Sequence, residues 1–150
     1  MANSPVYFIR VAFAAIMLVC MFSIDYSLAQ GIENEADAEA SRSVVEDQLE
    51  AFKARDLDRA YSHAAPGIRA MFPSVEQFSA MVERGYGAIF KNETYVFGRN
   101  RQDAQDMFHE VIITDETGKQ WQAVYSLRRQ EDGSWRITGV KMNPYKGGSA

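Results

Sequence analysis

Two side chains in the second half of the sequence, His109 and Tyr125, have the chemistry of an acid/base pair. An imidazole exchanges protons near neutral pH, and a phenol donates a hydrogen bond to an oxygen that is gaining negative charge. Both residues lie in segments of alternating apolar and polar residues, 107–114 and 120–129, which are typical of β-strands. The two side chains act together only if the strands place them on one face of a sheet.

The turn between these segments predicts that they share a face. Asp115-Glu116-Thr117-Gly118 has the chemistry of a type I turn closed by a glycine bulge, which pairs residue 115 with residue 119. In that register His109 lies opposite Tyr125, close enough for the side chains to interact. A four-residue loop would instead put the Glu110 carboxylate among large apolar side chains, so the first register is favoured.

A second turn extends the register to the last strand. Glu131-Asp132-Gly133 closes it by the same logic and pairs Leu127 with Ile137 and Arg129 with Trp135. The inner face of the sheet is then predicted to carry Met107, His109, Val111, Ile113, Trp121, Ala123, Tyr125, Leu127, Trp135 and Ile137.

Helical periodicity precedes the strands. A first helix carries Val45, Leu49 and Phe52 on one face, in a stripe that begins at Ser41, and runs to about residue 55. A short second helix is capped by Asp56 and stopped by Pro66-Gly67. Ser74 and Gln77 form the capping box of a third helix, which ends at Gly85 and Gly87. The sequence therefore predicts an α+β fold in which three N-terminal helices pack on an antiparallel sheet of about four strands, with 94–98 as the first strand and 135–142 as the last.

Residues 1–29 have the three-part layout of a cleavable secretory signal. Arg10 precedes an apolar run of 14 residues, and Ser27-Leu28-Ala29 supplies small residues before a cut that leaves Gln30 as the new N-terminus. The run is shorter than the about 20 residues of a membrane-spanning helix, although an uncleaved anchor is the alternative. We expect an exported protein, periplasmic or secreted, with an acidic lead-in at 30–40, one α+β domain at 41–143 and a flexible tail at 144–150.

The composition excludes several classes of function. The one cysteine, Cys20, lies inside the predicted signal, so the mature chain offers no thiol nucleophile and no cysteine ligand for a metal. A formal net charge of −4 without a Lys/Arg cluster argues against nucleic acid or an anionic membrane as a partner. His63 has no partner at metal-ligand spacing and is interpreted as structural or exposed. We therefore expect no metal, no cofactor and no stable membrane span after cleavage.

Several local patterns together resemble a known family. They are the helix at 45–52, the segment 65–69 with Phe72, the segment 78–82 with Gly85-Tyr86, and the segment from Tyr125 to Ile137 with its Asp132-Gly133-Ser134-Trp135 turn. Over residues 41–142 the chain resembles the bacterial family called domain of unknown function 4864. That family is similar to the cone-shaped folds of the nuclear transport factor 2 superfamily. The resemblance implies helices that close over a curved sheet to form a pocket, and it implies no catalytic residues.

The predicted pocket is lined by Arg69, Tyr86, His109, Trp121 and Tyr125. The Arg69 guanidinium suits an anionic ligand, although an arginine in such a loop more often pairs with an acidic neighbour. Tyr86 lines the pocket or belongs to the core. His109 and Tyr125 form either an acid/base pair or a half-polar core in which His109 bonds Tyr125 or water. The two central strands place no carboxylate on the inner face, which weakens the catalytic interpretation.

These observations favour an exported, non-catalytic domain that binds a small molecule or a protein partner through its pocket or the outer face of the sheet. The alternative is a cone-fold isomerase, dehydratase or hydrolase that uses His109 and Tyr125 as an acid/base pair. On the outer face, Phe108, Ile112, Val124 and Val140 stand between polar residues. Half-apolar sheet faces often mark partner surfaces, so a homodimer is left open. The identity of the ligand does not follow from the sequence.

Overall fold

A computed structural model describes residues 34–147 of the chain. They belong to two units, one that ends at Asp37 and one that begins at Ala38. Residues 34–37 of the first unit are helical, and the sheet and the helical residues from 38 onward lie in the second. The predicted signal peptide, its cleavage site at Ala29 and Gln30, the start of the lead-in at 30–33 and the tail residues 148–150 lie outside the described residues.

Five helical segments come before the sheet in the described part of the chain. They are α1 at 34–53, α2 at Leu57–Ser62, α3 at Pro66–Met71, α4 at Val75–Gly85 and α5 at Gly87–Phe90. Three of them, α1, α2 and α4, lie where helices were predicted, so the prediction of three helices was incomplete. Among residues 34–147, no helix combines the length and apolar character that a membrane span requires.

The two additional helices have local causes. Pro66 occupies the first turn of α3, where its missing N–H is no loss, so it starts a helix as well as ending the preceding segment. Tyr86, with φ −137° and ψ 45°, leaves the helical conformation and separates α4 from the single turn of α5. The predicted caps are confirmed, since Asp56 accepts a hydrogen bond from the Arg59 N–H and Ser74 accepts one from the Gln77 N–H.

Four antiparallel strands form one sheet in the order β1-β2-β3-β4. The strands are β1 at Asn92–Asp103, β2 at Asp106–Asp115, β3 at Gln120–Arg129 and β4 at Trp135–Pro144. The α+β class and the four-stranded antiparallel sheet are therefore confirmed. The first strand is longer than the predicted 94–98 and contains a register shift between Phe97 and Asn100.

The predicted register of the two hairpins is confirmed. The Asp115 N–H donates to the Lys119 carbonyl over 3.0 Å, and Gly118 closes the turn with a φ of +82° that favours glycine. His109 pairs with Tyr125 and Leu127 pairs with Ile137. Turn chemistry fixed the pairing because the left-handed glycine determines the length of the loop.

A β-bulge changes the alternation in β4. Leu127 pairs with Ile137 but Ser126 pairs with Gly139, so Thr138 is an extra residue and Tyr125 pairs with Val140. Val140 consequently packs against the core. The expectation that Val140 lies on the outer face was wrong, because strict alternation does not include the one-residue shift that a bulge introduces.

The core lies between the inner face of the sheet and the helices. All the predicted inner-face residues are buried except Trp121, which is half-buried. From α1, Val45, Leu49 and Phe52 are buried against them. The Phe52 ring stacks on Phe78 of α4 at 6.3 Å between centroids. The helices therefore cover the face that the hairpin register predicts.

Candidate functional site

An apolar cavity of about 280 Å³ lies between the helices and strands β3 and β4. None of the described residues that line it is charged. Its wall comes from every helix except α2, from the bulged part of β4 and from one residue of β3, and includes Phe52, Ile68, Met71, Phe78, Tyr86, Tyr125 and Val140. Met71 is 67% exposed and marks the mouth of the cavity.

Backbone hydrogen bonds between β4 and the α2–α3 link hold one wall in position. The Ile137 N–H donates to the His63 carbonyl and the Ala65 N–H donates to the Ile137 carbonyl, both over 2.8 Å. This bridge anchors α3 beside the edge of the sheet, so Ile68 and Met71 reach the cavity. The bulge at Thr138 adds Val140 to the wall.

Tyr125 is the most deeply buried polar residue at the cavity, with 0% of its surface exposed. Its hydroxyl has no hydrogen-bond partner among the described residues. Burial raises the pKa of this hydroxyl well above its ordinary value, so the phenol is neutral and carries a proton to donate.

Two other polar side chains at the cavity are bonded to the protein itself. The Tyr86 hydroxyl donates to the Val140 carbonyl over 3.3 Å, a long hydrogen bond. The Gln48 side-chain amide donates to the Ala60 carbonyl over 3.1 Å. Of the five residues predicted to line a pocket, Tyr86 and Tyr125 lie at this cavity, and Arg69, His109 and Trp121 do not.

His109 is engaged elsewhere in the core. Its Nε2 lies 2.8 Å from the Oγ of Ser41 on α1, and its ring packs edge-on against Phe97 at 6.2 Å. Burial, helped by the charge of Arg42, lowers the pKa of His109 to about 4. The imidazole is therefore neutral at physiological pH. It lies opposite Tyr125 in the sheet, but the two side chains share no hydrogen bond.

The Ser41–His109 contact was not predicted from the sequence. Ser41 is fully buried, and its hydroxyl donates to the Ala38 carbonyl over 3.1 Å. The available signal was the position of Ser41 on the apolar stripe of α1, where a polar residue needs a partner in the core. The contact joins α1 to the centre of the sheet.

Arg69 caps carbonyl groups instead of meeting a carboxylate. Its guanidinium donates to the carbonyl of Ser62 and, over 3.0 Å, to that of Ala64, and it stacks over Tyr61. A separate concavity of about 540 Å³ contains Arg69 together with polar residues of the second turn, such as Asp132. The cation is therefore absent from the wall of the Tyr125 cavity.

Trp121 stabilises the first hairpin. Its indole N–H donates to the Asp115 carboxylate over 2.9 Å, and the Lys119 ammonium lies 4.1 Å from the ring centroid. Hydrogen bonds from Thr117 and from Trp121 lower the pKa of Asp115 to about 2. These contacts explain why the indole of Trp121 is half-buried, and no ligand is needed to explain it.

His63 belongs to a surface group of polar contacts that joins α1 to α2. Its Nε2 lies 2.5 Å from the Asp47 carboxylate, which also accepts hydrogen bonds from Arg59. The bond from Arg59 and the contact with His63 lower the pKa of Asp47 to about 2. No group of three or more His, Cys, Asp or Glu side chains in the described range could hold a metal ion.

Comparison with known proteins assigns the chain to a family. Residues 34–150 match the family model described as Domain of unknown function (DUF4864). The chain belongs to this family. Membership of the DUF4864 family agrees with the resemblance drawn from residues 41–142, and its description names no activity. No curated protein and no solved structure matches the chain.

Proposed function

We propose that this DUF4864 domain is a non-catalytic binding protein for an apolar small molecule, which it holds in the cavity beside Tyr125. The observation that carries the proposal is the uncharged, mostly apolar wall of a cavity of about 280 Å³ with Met71 at its mouth. Binding sites for small molecules are concave and apolar with a few polar groups, and the two tyrosines fit that pattern.

The volume limits the size of the ligand. An apolar cavity of roughly 150 Å³ accommodates benzene. The cavity here has about 280 Å³, so it has room for two fused rings or a short alkyl chain. A larger ligand would need to displace Met71, whose exposed side chain is free to move.

Acid/base catalysis by His109 and Tyr125 has less support. His109 is 2% exposed, contacts Ser41 and lies outside the cavity wall. The raised pKa of Tyr125 disfavours proton release. Within the described range, no carboxylate lines the cavity to serve as the base that an isomerase or dehydratase needs. Binding therefore explains the site better than turnover.

Binding through the outer face of the sheet also has less support. Val140 lines the cavity, so the outer face loses one of the four apolar residues on which the expectation of a homodimer depended. Phe108, Ile112 and Val124 remain there, each half-buried. We accordingly place ligand binding in the cavity.

We extend the proposal to the fold type and the location. Helices on one face of a four-stranded antiparallel sheet, with a cavity between them, are consistent with a cone of the nuclear transport factor 2 type. Export is supported by the signal-like sequence of residues 1–29 and by a family match that begins after it, at residue 34.

A pair of matched variants tests the binding site. Naphthalene, an apolar fluorescent probe of two fused rings, is titrated into the protein and into Val140→Phe, which fills the cavity, and Val124→Phe, which makes the same change on the outer face. We expect Val140→Phe to weaken binding at least tenfold and Val124→Phe to leave it unchanged. Absence of binding to the wild type, or equal loss in both variants, contradicts the proposal.

A further inference from the structure

We infer that the ligand is an uncharged molecule with a hydrogen-bond acceptor, such as a ketone, ester or amide carbonyl, and that Tyr125 donates to this acceptor. The inference rests on the proposed binding function and adds the chemical class of the ligand. It is argued from an unpartnered buried hydroxyl, a second phenol that lines the same cavity and the lack of charge in the surrounding wall.

The hydroxyl of Tyr125 is the first observation. Buried polar atoms in folded proteins are nearly always hydrogen-bonded, and an exception needs an explanation. This hydroxyl is buried and without a partner among residues 34–147, and Tyr125 lines the cavity. A phenol that keeps its proton needs an acceptor. Because 0% of the Tyr125 surface is exposed, a ligand in the cavity reaches this hydroxyl only after the wall beside Tyr125 moves.

Tyr86 is the second observation. Its hydroxyl bonds the carbonyl of Val140, the residue that pairs with Tyr125 across β3 and β4. At 3.3 Å that bond is long for a hydroxyl donor, so little is lost when the hydroxyl turns toward a ligand. Two phenols from different elements therefore line the cavity. They suit a carbonyl oxygen, which has two lone pairs.

The lack of charge is the third observation. A carboxylate or an ammonium group that enters an apolar cavity loses its hydration and needs a counter-ion. Arg69 is the cation that was predicted to meet an anionic ligand. Its guanidinium is bonded to the Ser62 and Ala64 carbonyls and lies outside this cavity. His109 is neutral and bonded to Ser41. The site therefore selects against fatty acids and amines of the same size.

Three probes of one shape test the inference: 2-isopropenylnaphthalene, 2-acetylnaphthalene and 2-naphthoate. They differ by a methylene, a carbonyl oxygen or a carboxylate at one position, so differences between their affinities report the polar group and its hydration. Each is titrated by calorimetry at pH 7 into the protein in its natural processed form and into Tyr125→Phe and Tyr86→Phe. Thermal melts of both variants verify that they are folded.

We expect the ketone to bind the wild type about 3 to 10 times more tightly than the hydrocarbon, which is the range of one net hydrogen bond. The ratio should fall to about 1 or below in Tyr125→Phe, because the ketone oxygen then loses its hydration without gaining this donor, and 2-naphthoate should bind most weakly. Equal affinity for ketone and hydrocarbon, or tightest binding of the carboxylate, overturns the inference while the binding function stands. A preference that survives Tyr125→Phe overturns the role of Tyr125. Failure of all three probes to bind overturns the proposed function itself.

If Tyr125→Phe does not fold, infrared spectroscopy of the wild type tests whether a phenol donates a hydrogen bond to the bound ketone. The carbonyl stretch of bound 2-acetylnaphthalene should shift to lower frequency than in a hydrocarbon solvent, because a donated hydrogen bond weakens the carbonyl bond. Replacement of Tyr86 by Phe should leave most of that shift. A stretch at the hydrocarbon value means that no phenol donates, and the inference is then wrong.

Discussion

The hydroxyl of Ser41 lies 2.8 Å from Nε2 of His109, which joins the longest helix to the second strand of the sheet. Both residues are buried, and the imidazole ring stands perpendicular to the Phe97 ring. A neutral histidine held in this way is a structural element, and its loss should be visible in stability and not in ligand binding.

Replacing Ser41 by Ala should lower the free energy of unfolding by about 1–3 kcal/mol, because it leaves the buried imidazole without its partner. Ser43→Ala is the matched control on the same helix. The Ser43 hydroxyl is exposed and donates to the Glu39 carbonyl, so a change of about 0.5 kcal/mol or less is expected. Urea unfolding curves measure both, and similar losses in the two variants would mean that the buried contact contributes little.

Acidification should destabilise the protein through His109. Its pKa is about 4 in the folded protein and 6.5 in the unfolded chain, so the unfolded state binds more protons between these values. The contribution of His109 to the free energy of unfolding is therefore fully present above pH 6.5, and about 3 kcal/mol of it is lost by pH 4. His109→Gln should flatten this dependence and stay folded with ligand binding intact. Parallel pH profiles for variant and wild type would refute the assignment.

Trp135→Ala should cost about 3–5 kcal/mol of stability, because the indole is 5% exposed and packs in the core. Its neighbour Arg136 points to the other face and is half-buried, so Arg136→Ala should change stability by about 0.5 kcal/mol or less. Denaturant melts compare the two. Greater damage from Arg136→Ala would reverse the assignment of inner and outer faces.

The same substitution should have opposite effects at two glycines. Gly118 has a φ of +82°, a conformation that strains an L-residue, so Gly118→Ala should destabilise the first hairpin by about 1–2 kcal/mol. Gly67 lies in α3 with open space around it, so Gly67→Ala should stabilise by about 0.5–1 kcal/mol. Thermal melts show whether each variant is less or more stable than the wild type. A neutral Gly118→Ala would argue against the bulged turn.

Export predicts a defined mature N-terminus. Edman sequencing or mass spectrometry of the protein isolated from its own cells should give Gln30 as the first residue, outside the cytoplasm. The mature chain then contains no cysteine, so a reducing agent should not change its melting temperature. Recovery of intact Met1 from a membrane fraction would contradict cleavage.

The predictions that succeeded depended on local chemistry. Asp115 and Gly118 determine a loop length, and the loop length determines that His109 faces Tyr125. The alternation of apolar residues then identified the buried face of β2 and β3. Likewise the caps at Asp56 and Ser74 were visible because a capping side chain acts within three residues.

The features that escaped prediction depend on contacts between distant segments. The bulge at Thr138 arises from the pairing of β3 with β4, and it alone turns Val140 inward. The partner of His109 was Ser41 because α1 crosses β2 at that point, which no spacing in the sequence reveals. The residues of the cavity wall come from four helices and two strands. Single wall residues could therefore be predicted from the sequence, but not which of them lie together.

A methyl-resolved NMR titration with 2-acetylnaphthalene tests most directly whether the cavity is the binding site. The account predicts intermolecular nuclear Overhauser effects from the ligand to the methyl groups of Ile68, Met81 and Val140, which line the cavity. It predicts none to Ile112 and Val124 on the outer face. Contacts confined to Ile112 and Val124, or no contacts at saturating ligand, would contradict the central claim.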